Sequence, residues 1–305
     1  HIHDDEFFLV YSNSTAYCLD AFLNTVIMLD TQSPRYIVKA KIGDYYPEDG
    51  YEVVLMTFIP ETYIFLDIYS LDSQLLGSFD NLGLMALNLT ISDFYEVLPG
   101  TNTMLLLLSS TINESYYLAL LDVTDGSITV VGNAPYSRFV ADIGYLGDRY
   151  CWVLGSYWGN RIYIVDGEGN IIAMREFADE FILGLLVCDL NYSDGDEIIL
   201  FMYYPSYNCY VVVVCDEYLI ELYRITYVES MPVVADILQQ FQGKELLCVR
   251  NIGGYYYFSI FLSNGSSIYQ DSISGRDEFN AVLQWYNASY DDVTFIVVVD
   301  EYGNR

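Results

Sequence analysis

The chain has 305 residues, 53% hydrophobic and only 18% charged, with 42 Asp and Glu against 12 Lys and Arg. A net charge of −30 argues against nucleic acid or an anionic membrane surface as partner, since both would be repelled, and favours cations, basic proteins or neutral ligands. No apolar run reaches the roughly 18 residues of a membrane-spanning helix, so membrane insertion is not expected.

The sequence opens on His1-Ile2-His3, its only two histidines, and the expectation is a disordered end; a start at His1 rather than Met marks a processed chain or an excerpt. With no His further along, Ser-His-Asp and Cys-His catalysis are excluded, as is a His-ligated zinc or haem. Asp4 to Leu9 has the pattern of Asp194 to Leu200, which places the first strand at the second position of a repeated unit. An acidic turn follows, Asp44-Tyr-Tyr-Pro-Glu48-Asp49-Gly50-Tyr-Glu52-Val53. It returns 145 residues later as Asp189-Leu-Asn191-Tyr-Ser193-Asp194-Gly195-Asp196-Glu197-Ile198.

The unit beginning at Phe181 is the clearest. Four strand-like runs are expected at Phe181 to Cys188, Ile198 to Tyr204, Cys209 to Cys215 and Leu219 to Tyr227. The first three are almost unbroken apolar runs, as strands covered on both faces should be; the fourth, with Glu221 and Arg224, is mixed, as an edge strand should be. Laid on the whole chain, the unit repeats about every 48 residues, with inner-strand ends expected near Asp44, Asp93, Asp142, Asp189, Asp236 and Gln284. Asp125-Gly126, Asp166-Gly167, Gly253-Gly254 and Asn264-Gly265 mark hairpins, and helical periodicity is nearly absent. A strand-only repeat of this size predicts an all-β chain, a β-propeller of four-stranded blades forming one domain over residues 1–305. Six blades are expected if the strand near Gln284 completes the N-terminal three, with seven, the last incomplete, as the alternative. The strand Val293 to Val299, within 287–305, is then surplus or available for self-assembly by donation to a neighbour.

Asn-x-Ser/Thr sequons start at Asn13, Asn88, Asn113, Asn191, Asn264 and Asn287, an excess that points to a secreted or cell-surface glycoprotein. Six cysteines would allow up to three disulfides there, with buried free thiols as the other reading. Carboxylate-pair catalysis, as in a glycosidase or lyase, stays open because acidic pairs such as Asp4-Asp5, Asp216-Glu217 and Asp291-Asp292 abound. The 31 tyrosines cluster at Tyr45-Tyr46, Tyr203-Tyr204-Tyr207-Tyr210 and Tyr255-Tyr256-Tyr257, and with Trp152, Trp158 and Trp285 could stack on sugars or anchor an interface.

The acidic turn is the leading candidate site. Asp189, Asn191, Ser193, the Gly195 carbonyl and Glu197 present oxygens at alternate positions, the supply a hard cation needs. A weaker copy comprises Asp44, Glu48, Gly50 and Glu52. The segment resembles the calcium loop of FG-GAP and VCBS repeats, the units of the integrin-alpha propeller, whose pattern is Asp-x-Asn/Asp-x-Asp-Gly-x-x-Asp/Glu. Ser193 stands where that family has Asp, the Asp-Gly pair is displaced by one place, and Tyr46 replaces the second ligand in the earlier copy. The resemblance implies Ca2+-stiffened hairpins on a non-catalytic adhesion or assembly module that meets a protein or glycan at the cell surface. The alternative is a lectin or carbohydrate-active enzyme on the same scaffold. An intracellular scaffold would require bare sequons and reduced thiols.

Overall fold

The computed structural model describes residues 8–19, 24–31, 35–43, 45, 50–59, 63–134, 136–191, 195–235, 243–272, 284–288 and 293–297. The chain divides into two compact units, His1–Ser137 with Gly167–Asn170, and Arg138–Asp166 with Ile171–Arg305.

In the first unit, β1 (Phe8–Tyr11), β2 (Thr15–Leu19) and β3 (Thr25–Asp30) form a three-stranded sheet. Two four-stranded sheets follow in simple chain order. One holds β4 (Tyr36–Gly43), β5 (Glu52–Ile59), β6 (Tyr63–Ser70) and β7 (Leu75–Asp80). The other holds β8 (Leu89–Val97), β9 (Thr103–Ser110), β10 (Tyr116–Asp122) and β11 (Ile128–Ala134). A single helical turn, α1 (Leu82–Met85), links them.

The second unit repeats the plan. Its sheets are β12 (Phe139–Leu146), β13 (Arg149–Ser156), β14 (Arg161–Val165) and β15 (Ile171–Glu176); then β16 (Phe181–Cys188), β17 (Glu197–Tyr204), β18 (Cys209–Cys215) and β19 (Glu221–Thr226). Next come β20 (Val233–Ala235), β21 (Glu245–Ile252), β22 (Tyr255–Phe261) and β23 (Ser267–Ser272). Finally β24 (Gln284–Ala288) pairs antiparallel with β25 (Val293–Val297), so the strand expected as surplus is paired with its own predecessor.

Burial follows the apolar pattern strand by strand. The second strands are buried through most of their length, as in β5 and β9, and the third strands nearly so, as in β14 and β18. Fourth strands alternate or are largely exposed, as in β7 and β15. The innermost strands are only half covered, β12 and β16 especially, so their apolar run does not mean burial on both faces. Within each unit the sheets stack face to face. Met56, Leu66, Phe94, Leu106 and Ala119 share one core in the first unit. Val153, Ile164, Leu200, Val211 and Val213 share another in the second.

The period expected from sequence is present, but its phase is partly wrong. Asp93 and Asp142 lie inside β8 and β12, not at their ends, because the polar residue there faces a neighbouring sheet and the strand runs on to Val97 and Leu146. Asp142 Oδ2 accepts the Val187 N–H of β16 at 2.7 Å, and Oδ1 accepts the adjacent Ile143 N–H at 2.9 Å. Asp93 likewise accepts the Phe94 N–H at 2.7 Å and pairs with Lys39 of β4 at 2.5 Å. The expected break at Asp236 lies outside the described residues.

All six cysteines are free, as in the second of the two readings left open by the sequence. They point into strand cores, and burial pushes the Cys188, Cys215 and Cys248 thiols up to about 12, which leaves them un-ionised at neutral pH. Truncating Leu106, fully buried in β9, to Ala is expected to cost about 2–5 kcal/mol through lost contacts and a residual cavity. Leu222→Ala on exposed β19 should change stability by less than about 0.5 kcal/mol. Urea unfolding of both variants checks this, and equal midpoints would contradict the assignment of core and edge.

Candidate functional site

The acidic turns lie at one end of their sheets. Asp44, Glu48 and Ser193 fall outside the described residues. The remaining candidates show a shared arrangement. Glu52 opens β5 and its buried Oε2 accepts the Tyr45 N–H at 2.8 Å. Glu197 opens β17 and its buried Oε2 accepts the Leu190 N–H, also at 2.8 Å, while Asn191 Nδ2 donates to Oε1. In both copies the carboxylate reaches back seven residues and satisfies an amide of the turn it terminates. Glu245, first residue of β21, is buried at the same strand position. Gly195 takes φ 117°, a conformation natural to glycine, and a Cβ there would collide with Glu217.

Two neighbours tie this turn to the preceding sheet. Asp196 Oδ2 accepts the Tyr145 N–H at 2.6 Å, and the Asp196 N–H donates to the Tyr145 carbonyl at 2.9 Å. Glu217 accepts the Gly147 N–H at 2.7 Å. Burial holds the Glu197 carboxyl above its ordinary range; the Leu190 N–H draws it down, while Asp189 and Asp196 push it up. Oxygen donors of this kind suit a hard cation. Among the described residues, however, no three acidic, Cys or His side chains converge as a metal site, and both Glu197 oxygens already receive N–H groups.

The opposite end of the second unit carries a cleft of about 680 Å³. Trp158 enters from the β13–β14 turn, Tyr203 from the end of β17, Tyr210 from the start of β18 and Tyr227 from the β19–β20 connection. Glu229 and Asn251 supply its polar wall. The rings meet across and within sheets: Trp158 lies 6.2 Å from Tyr203 of the next sheet at 62°, and Tyr203 lies 5.4 Å from Tyr210, its cross-strand partner, at 51°. These are the tilted and edge-on geometries favoured by ring quadrupoles. The Tyr203 hydroxyl donates to Asn208 Oδ1 at 2.9 Å. Asn251 bonds the Glu229 carboxylate and its Oδ1 accepts the Gly254 N–H at 3.1 Å.

The backbone is strained at this cleft. Trp158, Asn208 and Tyr227 have φ of 55°, 47° and 63°, three of the six positive-φ non-glycine residues among those described. A bulky side chain in this region costs about 1–3 kcal/mol and persists where its surroundings enforce it, which is commonly a functional site. Here the surroundings are visible: the Trp158 N–H donates to the Ile182 carbonyl at 2.8 Å, and the Asn251 N–H to the Tyr227 carbonyl at 2.7 Å.

The aromatic residues Trp158, Tyr203 and Tyr210 were conspicuous in the sequence; Tyr227, Glu229 and Asn251 were not. Their only local signal is polar interruption between strands. The lining contains one carboxylate, Glu229, whereas glycoside hydrolysis calls for two about 5–9.5 Å apart. Four sequons, at Asn13, Asn88, Asn113 and Asn264, sit exposed in turns. The Asn191 amide is engaged by Glu197, and Asn287 lies within β24.

No protein-family model matches the chain, and no curated protein matches it. Solved structures do. A crystal structure of BBS1N in complex with ARL6DN is 10% identical over 80% of this chain and 71% of that one, with a TM-score of 0.52. The Dos1 propeller is 13% identical over 87% and 66%, with a TM-score of 0.50. A chain of the mitotic checkpoint complex is 10% identical over 88% and 74%, with a TM-score of 0.52. At such identities the likeness is one of fold. The chain is a β-propeller, and six blades fit its five four-stranded sheets and one three-stranded sheet; among the described residues β24, expected to complete the N-terminal three, pairs with β25 in a separate two-stranded sheet.

Replacing Glu197 by Gln keeps an acceptor for Leu190 but removes the buried charge. Because burial raises the folded-state pKa of Glu197, its contribution to stability is fully present below the ordinary value of 4.5 and is lost as pH rises through the folded value. Wild type is therefore expected to lose stability relative to Glu197→Gln between pH 4.5 and neutrality, measured by urea unfolding at several pH values. A pH-independent difference would contradict the buried environment.

Proposed function

We propose that this chain is a non-catalytic binding module that docks a protein partner through the aromatic cleft of its second unit. The observation that carries the reading is the convergence of four aromatic rings, strained backbone and a single carboxylate in one cleft. Trp and Tyr dominate the energetics of protein interfaces when they line such a pocket. Two of the similar solved structures come from protein complexes, one containing BBS1N with ARL6DN and one the mitotic checkpoint complex, which supports the same use of the scaffold.

The module works outside the cell or on its surface, a reading supported by four sequons on exposed turns. Its acidic turns bind Ca2+ in the manner of FG-GAP-type repeats, with Asp189, Asn191, Ser193, the Gly195 carbonyl and Glu197 as the oxygen donors, which requires Glu197 to release the Leu190 and Asn191 N–H groups. The supporting observation is the crowding of Asp189, Asp196 and Glu197, whose mutual repulsion a divalent cation would relieve. Self-assembly through the C-terminal strand pair is a further use of the same surface logic.

Capped tripeptides and disaccharides titrated against Trp emission test the cleft. Trp158 is 55% exposed and Trp152 fully buried, and loss of a saturable change in Trp158→Phe assigns the signal to the cleft. Peptides are expected to produce it, and p-nitrophenyl glycosides to remain uncleaved; response to sugars alone, or glycoside turnover, would replace this reading with a lectin or an enzyme. For the turns, 1 mM calcium, on the order of extracellular sites, should raise the melting temperature relative to chelator, and enzymatic deglycosylation should lower the intact mass. No change in either would remove the calcium and extracellular parts.

A further inference from the structure

The cleft identifies the chemistry of its occupant. Its lining contains no Lys or Arg, and its one charged side chain is Glu229. The neutral polar groups are largely engaged with one another: the Tyr203 hydroxyl with Asn208, and Asn251 with Glu229 and the Gly254 amide. What the cleft offers an incoming group is therefore ring faces and negative charge, the pair of features that attracts a cation to an aromatic surface. Trp158 and Tyr227 are 55% and 43% exposed and open to such contact.

Nearby cations of the chain are committed elsewhere. Arg138 stacks on Tyr157 at 4.2 Å. Arg224 pairs with Glu180 and Glu221. Arg250 donates to the Thr226 carbonyl at 3.1 Å and lies over Phe261. The chain itself repeatedly sets a guanidinium on a ring, with Arg35 over Phe65 at 4.0 Å and Arg175 over Phe177 at 4.6 Å.

We infer that the cleft seats an arginine side chain presented by a basic segment of a partner protein, with the guanidinium against Trp158 and the tyrosines and Glu229 as its counter-charge. The inference rests on the binding-module reading and adds the partner's chemistry to it. Three further observations support it. The net charge of −30 steers basic chains toward this protein. A cleft of about 680 Å³ has room for neighbouring residues as well as the anchor side chain. Burial holds the Glu229 carboxyl above its ordinary range, a condition that an incoming positive charge relieves.

The test uses the whole chain and the indole N–H resonance of Trp158. The probes are acetyl-Gly-Ser-Arg-Ser-Gly-amide, the same peptide with citrulline in place of Arg, and cellobiose. Citrulline keeps the planar shape and removes the charge. The arginine peptide is expected to shift Trp158 saturably at concentrations at least about ten-fold below the citrulline peptide. Glu229→Gln should weaken the arginine peptide about five-fold or more, and Tyr227→Ala should weaken both peptides. Equal titrations for arginine and citrulline would overturn the inference and leave the protein-binding reading standing. Shifts elsewhere with Trp158 unmoved would mean general attraction to an acidic surface and would also overturn it. A response to cellobiose with none to either peptide would overturn both.

Discussion

In the four-stranded sheets the second and third strands are held largely between neighbouring layers, so most of their side chains are apolar on both faces. Val211 to Val214 and Met104 to Leu108 are fully buried in this way. Such strands have no polar side to turn to solvent, and their polar demands shift to the strand ends and to the half-covered innermost strands. Most of the buried carboxylates sit there; Asp67, inside the third strand β6, is the exception and is paired with Arg35 and Ser78. Glu52 and Glu197 open second strands and meet turn amides; the half-buried Asp142 sits in an innermost strand and meets an amide of the next sheet. An amide buried at such a junction without an acceptor would cost about 1–3 kcal/mol, so these acids hold turns and neighbouring sheets in register.

The repeat was legible because burial on both faces leaves an unmistakable record: long apolar runs at a regular spacing. Strand boundaries in the unit from Phe181 to Thr226 fall within two residues of expectation. The phase of the acidic residues was less legible. Asp93 and Asp142 share the period of Asp189 but lie inside strands rather than after one, since a carboxylate can mark a turn or bridge two sheets and sequence spacing alone does not separate these uses. The cysteines followed the same logic: five of the six are buried in strands that face packed neighbours, Cys188 at the end of the innermost strand β16 is half-buried, and all six thiols remain free.

The two candidate sites differ in how much of them a sequence can show. The acidic turn is contiguous, and so its repeated Asp-Gly-x-Glu pattern was plain; what the pattern did not reveal is that its final Glu is turned inward onto a backbone amide. The cleft is assembled from residues 158, 203, 210, 227, 229 and 251, contributed by three sheets. Only the stacking of those sheets brings them together, and only the fold shows that three residues near it hold left-handed backbone. The two ends of the second unit thus divide the work: one is tied by carboxylates and amides, the other is left open with aromatic side chains exposed.

Amide hydrogen exchange on the intact chain tests the central claim most directly, that burial on both faces of the middle strands carries the structure. The account predicts the slowest exchange in the second and third strands, Val211–Val214 and Leu105–Leu107 among them, with the fourth strands β15 and β19 exchanging well before them. Fourth-strand amides as slow as those of the second and third strands would contradict it.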